Sequence, residues 1–192
     1  MSPFWKKYPG IRLEYPAMIR LVRPAVKYQK SYFQALRGYD RRNQVPRDLR
    51  VLSMKTGDAM ADFPRFVRRI RGFSRGAKMI PGFVPESRFW LVDGNKYIGC
   101  ISIRHSLTPL LRREMGHIGY EVRHSERRKG YGTLMLGLAL KKARRIGLAK
   151  VLVTCDTGNT GSRKVIEANG GKLAGKVKSV GKGSKFRYWI GV

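Results

Sequence analysis

The sequence predicts an α/β domain, and three observations carry that prediction. Helical and strand patterns alternate along the chain, a glycine-rich turn joins an extended run to a strongly helical one near the middle, and 192 residues with 42% hydrophobic content suffice for one core. Residues 18–192 read as that domain, and 1–17 as an N-terminal extension.

Taken in order, residues 18–23 form a strand ended by Pro24, and 25–37 a helix with Tyr28, Tyr32, Ala35 and Leu36 on one side and Gly38 closing it. Residues 39–55 are polar and irregular. A second helix is expected over 58–71, where Phe63, Phe66, Val67 and Ile70 keep helical spacing and Arg65, Arg68, Arg69 and Arg71 take the outer face. Pro64 belongs in its first turns or breaks it. The glycine- and proline-bearing stretch 72–85 is a loop long enough to border a substrate opening.

A β-meander and two βα units follow. Strands over 88–92 and 97–104 are joined by the hairpin turn Asp93-Gly94-Asn95, and a third strand spans 116–123 after an insertion at 106–114. Beyond the glycine-rich turn come a helix over 133–145, a short strand over 150–155, and a helix over 159–169 capped by Gly170. Two extended runs, 172–178 and 185–192, flank a Gly/Lys/Ser-rich turn and finish the chain. The order is β-α-α-β-β-β-α-β-α-β-β, without an internal repeat.

Charge is the second unusual property: 41 Lys+Arg against 12 Asp+Glu give a formal +29. Such a balance attracts polyanions, RNA included, through counterion release. The positive residues are spread along the chain rather than gathered in a tail, so a general surface bias explains them equally well. Cys100 and Cys155 both lie in apolar extended runs and read as buried thiols of a reduced, cytoplasmic protein. No apolar stretch has the length of a signal peptide core or a membrane span, so no membrane partner is expected. The three histidines, His105, His117 and His124, have neither the helical pairing nor the cysteine neighbours of a zinc site, and no metal is expected.

The segment Arg127-Arg128-Lys129-Gly130-Tyr131-Gly132 builds an anion cradle. Its glycines let consecutive amides approach a ligand, and the following helix adds unpaired N–H groups and the positive end of its dipole. Arg-x-x-Gly-x-Gly between a strand and a helix, with Asn159 and Ser162 as an Asn-x-x-Ser after the next strand, resembles the Gcn5-related N-acetyltransferase (GNAT) family. The stretch 116–132 as a whole is similar to that family's cofactor strand and loop, and the order of elements matches from residue 18 onward.

The resemblance implies a mixed central sheet flanked by helices and acetyl-CoA as acyl-donor substrate. It also implies that Val122 pairs its main chain with the pantetheine amides. Arg127, Arg128 and the amides of Lys129, Gly130, Tyr131, Gly132 and Thr133 would hold the phosphates, and Asn159 and Ser162 would lie beside the pantetheine. The tyrosine that the family often carries seven residues after the asparagine is Ile166 here. His117 and Glu121 share one face of the cofactor strand and are the candidate catalytic bases, with Glu114 just before them. Cys155-Asp156 and Tyr188 are further groups expected near the chemistry. The implied reaction is acetylation of a primary amine on a small molecule or amino acid. The alternatives are an RNA-borne amine such as that of an aminoacyl-tRNA, or a basic nucleic-acid-binding module that keeps the fold without catalysis. A homodimer through exposed sheet ends is plausible in the family.

Overall fold

The computed structural model describes residues 18–76, 82, 84–181 and 183–192. The expected N-terminal extension therefore lies outside the described residues, as do positions 77–81 and 83 of the expected 72–85 loop and position 182 of the last turn. The strands are β1 (Ile19–Val22), β2 (Glu86–Asp93), β3 (Lys96–Arg104), β4 (Ile118–Val122), β5 (Lys150–Asp156), β6 (Lys172–Lys178) and β7 (Ser184–Gly191). The helices are α1 (Gln29–Asp40), α2 (Arg47–Arg50), α3 (Thr56–Ala61), α4 (Phe63–Gly72), α5 (Pro109–Glu114), α6 (Tyr131–Arg145) and α7 (Thr160–Ala168).

All seven strands form one mixed sheet in the order β1-β2-β3-β4-β5-β7-β6. Only β4 and β5 run parallel, with α6 as their crossover. Both faces of the sheet are covered. On one, Met135, Leu136, Ala139 and Ala143 of α6 pack against Leu91, Ile101, Ile103, Ile118 and Val153. On the other, Tyr28, Tyr32, Leu36, Phe63, Phe66 and Ile70 pack against Trp90, Val92, Tyr97 and Cys100, with the Tyr32 and Trp90 rings stacked at 4.9 Å. Cys100 and Cys155 are buried, unpaired thiols. No helix among the described residues is long and apolar enough to cross a membrane.

The differences from the sequence reading have physical causes. Helix α1 continues past Gly38 to Asp40 because Tyr39 is buried and its ring meets His124 at 5.0 Å, which outweighs the cost of about 1 kcal/mol for an interior glycine. The expected 58–71 helix divides at Asp62, whose side chain caps α4 by accepting from the Arg65 amide, with Pro64 inside the first turn. Two short helices fall where none was predicted: α2, inside the irregular stretch 39–55, and α5, inside the 106–114 insertion, whose Thr108 side chain caps it. Each is anchored by buried side chains, Asp48 and Leu49 in α2, Leu111 and Glu114 in α5.

Candidate active site

The sheet opens between β4 and β5. Within the paired strands they meet only at Ile118 and Val153, and beyond that point they diverge. Register with β3 shows which way the β4 main chain faces. His117 accepts from the Arg104 amide at 2.8 Å and the Arg123 amide donates to Ile98 at 2.9 Å, so the odd-numbered positions of β4 bond to β3. Tyr120 and Val122 therefore turn their main-chain groups toward β5, where no strand receives them. The Arg127 Nε–H donates to the Val122 carbonyl at 3.1 Å; an unpaired strand edge of this kind accepts an extended ligand as an added strand.

A cleft of about 670 Å³ runs through this opening. One end is lined by Arg127, Arg128, Gly130, Tyr131, Gly132 and Thr133, the start of α6. Gly130 takes the left-handed conformation (φ 75°) that turns the chain into the helix, and Arg128, also left-handed (φ 63°), shapes the turn before it. The first-turn amides of α6 and its dipole then face the cleft. Gly132 sits within that turn, where an added Cβ would lie 3.1 Å from Val165 Cγ2, so its small size also sets the approach of α7 to α6. Lys129 does not line the cleft; its ammonium lies 3.1 Å from Glu126, which Lys96 holds at 2.7 Å.

Asn159 and Ser162 both line the cleft from the start of α7. Asn159 caps the helix, its Oδ1 accepting from the Ser162 amide at 2.9 Å. The Ser162 hydroxyl lies 2.8 Å from the Tyr120 hydroxyl, and burial pushes the Tyr120 phenol up to about 12. Ile166 is fully buried in the core, one turn below.

The candidate bases part ways. His117 is absent from the cleft lining: its Nδ1 accepts the Leu152 amide at 2.9 Å, and burial, with Arg112 and Arg104, lowers its pKa to about 4. Glu121 lines the cleft, yet its carboxylate accepts from the Arg47 amide at 2.7 Å and from Arg50 at 3.3 Å. Burial, with that carboxylate adding, pushes the neighbouring Tyr39 phenol up. Glu114 also lines the cleft and holds the tip between β6 and β7, accepting from Ser179 Oγ at 2.6 Å and the Val180 amide at 3.1 Å. The Ser179 hydroxyl in particular holds its carboxyl below the usual range. Cys155 borders the cleft with a thiol that burial, then Asp156, pushes up, which disfavours the nucleophilic thiolate. Asp156 is paired with Lys185 at 2.7 Å, and Tyr188, outside the lining, donates to Glu167 at 3.2 Å.

Residues that sequence reasoning missed lie opposite the anion cradle. Arg47 and Arg50 of α2 line the far side of the cleft, and beneath them Asp48, Glu86, Arg88 and Arg104 form a buried ionic cluster. Arg88 Nη1 meets Asp48 at 2.7 Å and its Nη2 binds Glu86; the Trp90 indole N–H donates to the other Asp48 oxygen at 2.8 Å. One signal was legible: Glu86 and Arg88 share strand parity with Trp90, so ionic residues point to an apolar face. No group of His, Cys, Asp and Glu that could hold a metal occurs among the described residues.

A family model for the acetyltransferase (GNAT) domain matches residues 60–172. The chain belongs to the GNAT acetyltransferase family. Membership makes it an acetyl-CoA-dependent N-acetyltransferase by class, and the open β4/β5 edge beside a helix N-terminus suits a ligand with amides and phosphates. No curated protein sequence matches the chain. Solved structures with this GNAT fold include the microcin C7 self-immunity acetyltransferase MccE in complex with acetyl-CoA and AMP, at 14% identity over 92% of this chain and 94% of that one, TM-score 0.65. RimJ of Mycobacterium smegmatis, in complex with CoA-disulfide, is 18% identical over 90% of this chain and 81% of that one, TM-score 0.66. RimL, a ribosomal L7/L12 alpha-N-protein acetyltransferase in complex with coenzyme A, is 14% identical over 92% and 96%, TM-score 0.62. At these identities the likeness is one of fold.

Proposed function

We propose that this protein transfers the acetyl group of acetyl-CoA directly to a primary amine of a small molecule or amino acid. The observation that carries the reading is the unpaired main-chain edge at Tyr120 and Val122, set in one cleft with the first turn of α6. When bound, acetyl-CoA supplies an activated thioester to a neutral amine. Val122 and Tyr120 would hold its amides, and Arg127, Arg128 and the amides of residues 130–133 its phosphates. Arg127 would release the Val122 carbonyl and turn to the diphosphate. Asn159 and Ser162 would flank the pantetheine from α7.

Between the two candidate bases, the geometry favours Glu121 for receiving the amine proton, because it lines the cleft. His117, occupied by the Leu152 amide, is better suited to holding β4 against β5. With Ile166 buried, no phenol stands at that position to protonate the departing thiolate. Calorimetric titration with acetyl-CoA, against ATP as a phosphate-bearing control, tests the donor site. Saturable binding of acetyl-CoA alone is expected; equal weak binding of both would reduce the cradle to a general anion trap.

A specific feature favours a second acceptor class. The outer face of α4 exposes Arg65, Arg68, Arg69 and Arg71, a surface suited to the phosphates of an RNA-borne amine. The two acceptors differ in their response to salt.

A further inference from the structure

The cleft has two cationic ends, and only one is accounted for by the donor. At the end opposite α6, Arg47 lies against β4 at Gly119, so closely that a Cβ at position 119 would overlap its guanidinium. Among the described residues no carboxylate lies within ion-pair distance of it. The nearby carboxylates pair with other groups: Asp48 with Arg88 and Trp90, Glu86 with Arg88 and, at 3.6 Å without a hydrogen bond, with Arg104, and Glu121 with Arg50 and the Arg47 amide. Among the described residues the guanidinium makes one hydrogen bond, a long one of 3.4 Å to the Ser102 hydroxyl, and its buried Nε has no partner. Burial, then Arg88, lowers its pKa, against the opposing pull of Cys100, Glu86 and Asp48.

Part-buried against the strand at the wall of the cleft, this guanidinium is placed to be completed by an anion. A carboxylate or phosphate does so with two parallel hydrogen bonds, which a lysine would not match. Glu121 stands two residues from Gly119 on the same strand face, about 7 Å away, where an ammonium arriving beside that anion would compete with the exposed Arg50 for its carboxylate. A cation and an anion so spaced, on the acceptor side of the cleft, match a molecule carrying the opposite pair.

We infer that Arg47 is a specificity-determining residue that binds an anionic group on the acceptor, a carboxylate or phosphate a few bonds from the amine to be acetylated. The inference rests on the acetyl-transfer reading above and names its substrate class. Gly119 is the positioning residue, because only its missing side chain lets the guanidinium reach the strand.

The test pairs amines that differ only in that group: α-amino acids against their amides, and phosphoethanolamine against ethanolamine, with acetyl-CoA saturating and CoA release as readout. Acetylation is expected to favour the charged member in at least one pair, the pair identifying carboxylate or phosphate. Arg47→Gln should lower the preference ratio kcat/KM(charged)/kcat/KM(neutral) by roughly tenfold or more, chiefly through KM, and Arg47→Lys by less. Gly119→Ala should lower it as well. Acetyl-CoA affinity, measured by calorimetry on each variant, reports that the fold and donor site are intact; wild-type protein that fails to bind acetyl-CoA would overturn the parent reading instead. Use of neutral members alone, or equal use of both members of every pair, would overturn the inference. So would no acetylation of any member despite acetyl-CoA binding. An equal loss on charged and neutral amines in Arg47→Gln would assign Arg47 to the reacting centre and overturn it too.

Discussion

Gly132 sits where two requirements meet. Its Cα packs under Val165 of α7, and its amide belongs to the first turn of α6 at the cradle end of the cleft. Gly132→Glu introduces both bulk and negative charge there, and should weaken acetyl-CoA binding roughly tenfold or more while lowering stability by about 1–3 kcal/mol. Calorimetric titration checks the first and urea unfolding the second; unchanged affinity would remove the loop from the donor site. His117 makes a different prediction. Its folded pKa, about 4, lies below the ordinary 6.5, so the unfolded chain binds the proton more readily. Its contribution is full above pH 6.5 and is lost as pH falls toward 4, by at most roughly 3 kcal/mol. His117→Asn keeps an acceptor for the Leu152 amide and does not titrate. The stability of wild type relative to this variant should therefore fall across that window, measured by urea midpoints at several pH values.

At the scale of elements, α2 is the piece that walls the cleft opposite α6, and it is held by buried Leu49 together with ionic contacts. A helix of four residues has almost no intrinsic stability. Asp48 ties it to β2 through Arg88 and Trp90, and the Arg47 amide ties it to β4 through Glu121. Asp48→Asn leaves Arg88 and Arg104 facing Glu86 alone, and should cost about 3–5 kcal/mol in urea unfolding. A loss below about 1 kcal/mol would mean that the cluster reorganises freely. Sequence periodicity found the long elements because their burial is one-sided and regular: Phe63, Phe66, Val67 and Ile70 of α4 are all buried while the arginines between them are exposed. It missed α2 and α5 because a single turn has no periodicity to detect. It likewise ran α3 and α4 together, since the Asp62 break is a cap inside one continuous apolar pattern.

For the whole molecule, the excess of positive charge acts over the entire surface, and salt is the lever that separates its consequences. If the acceptor is a small amine, its apparent affinity should change little between low and moderate salt. If the amine is carried on RNA, affinity should fall steeply, with a log–log slope of roughly one for each phosphate neutralised. Steady-state kinetics at a series of salt concentrations, at fixed acetyl-CoA, reads the slope directly. Substituting Arg65, Arg68, Arg69 and Arg71 together should flatten a steep slope and leave a shallow one unchanged.

The cradle half of the cleft was legible in the sequence because it is built from local chain: a strand, a turn with glycines at set positions and the helix that follows are contiguous, and the groups proposed to hold the phosphates are largely backbone amides. Nothing distant is needed to see it. The opposite half, walled by α2, was decided only by tertiary structure. Arg47 meets Gly119 across more than seventy positions of chain, and whether Glu121 faces an amine or an arginine depends on α2 being folded over β4. His117 shows the same limit from the other side. Strand parity grouped it with Glu121, while the Leu152 amide that occupies its ring nitrogen arrives from a strand thirty-five residues further on. Contacts of that range depend on the packing of the entire sheet, which no local pattern encodes.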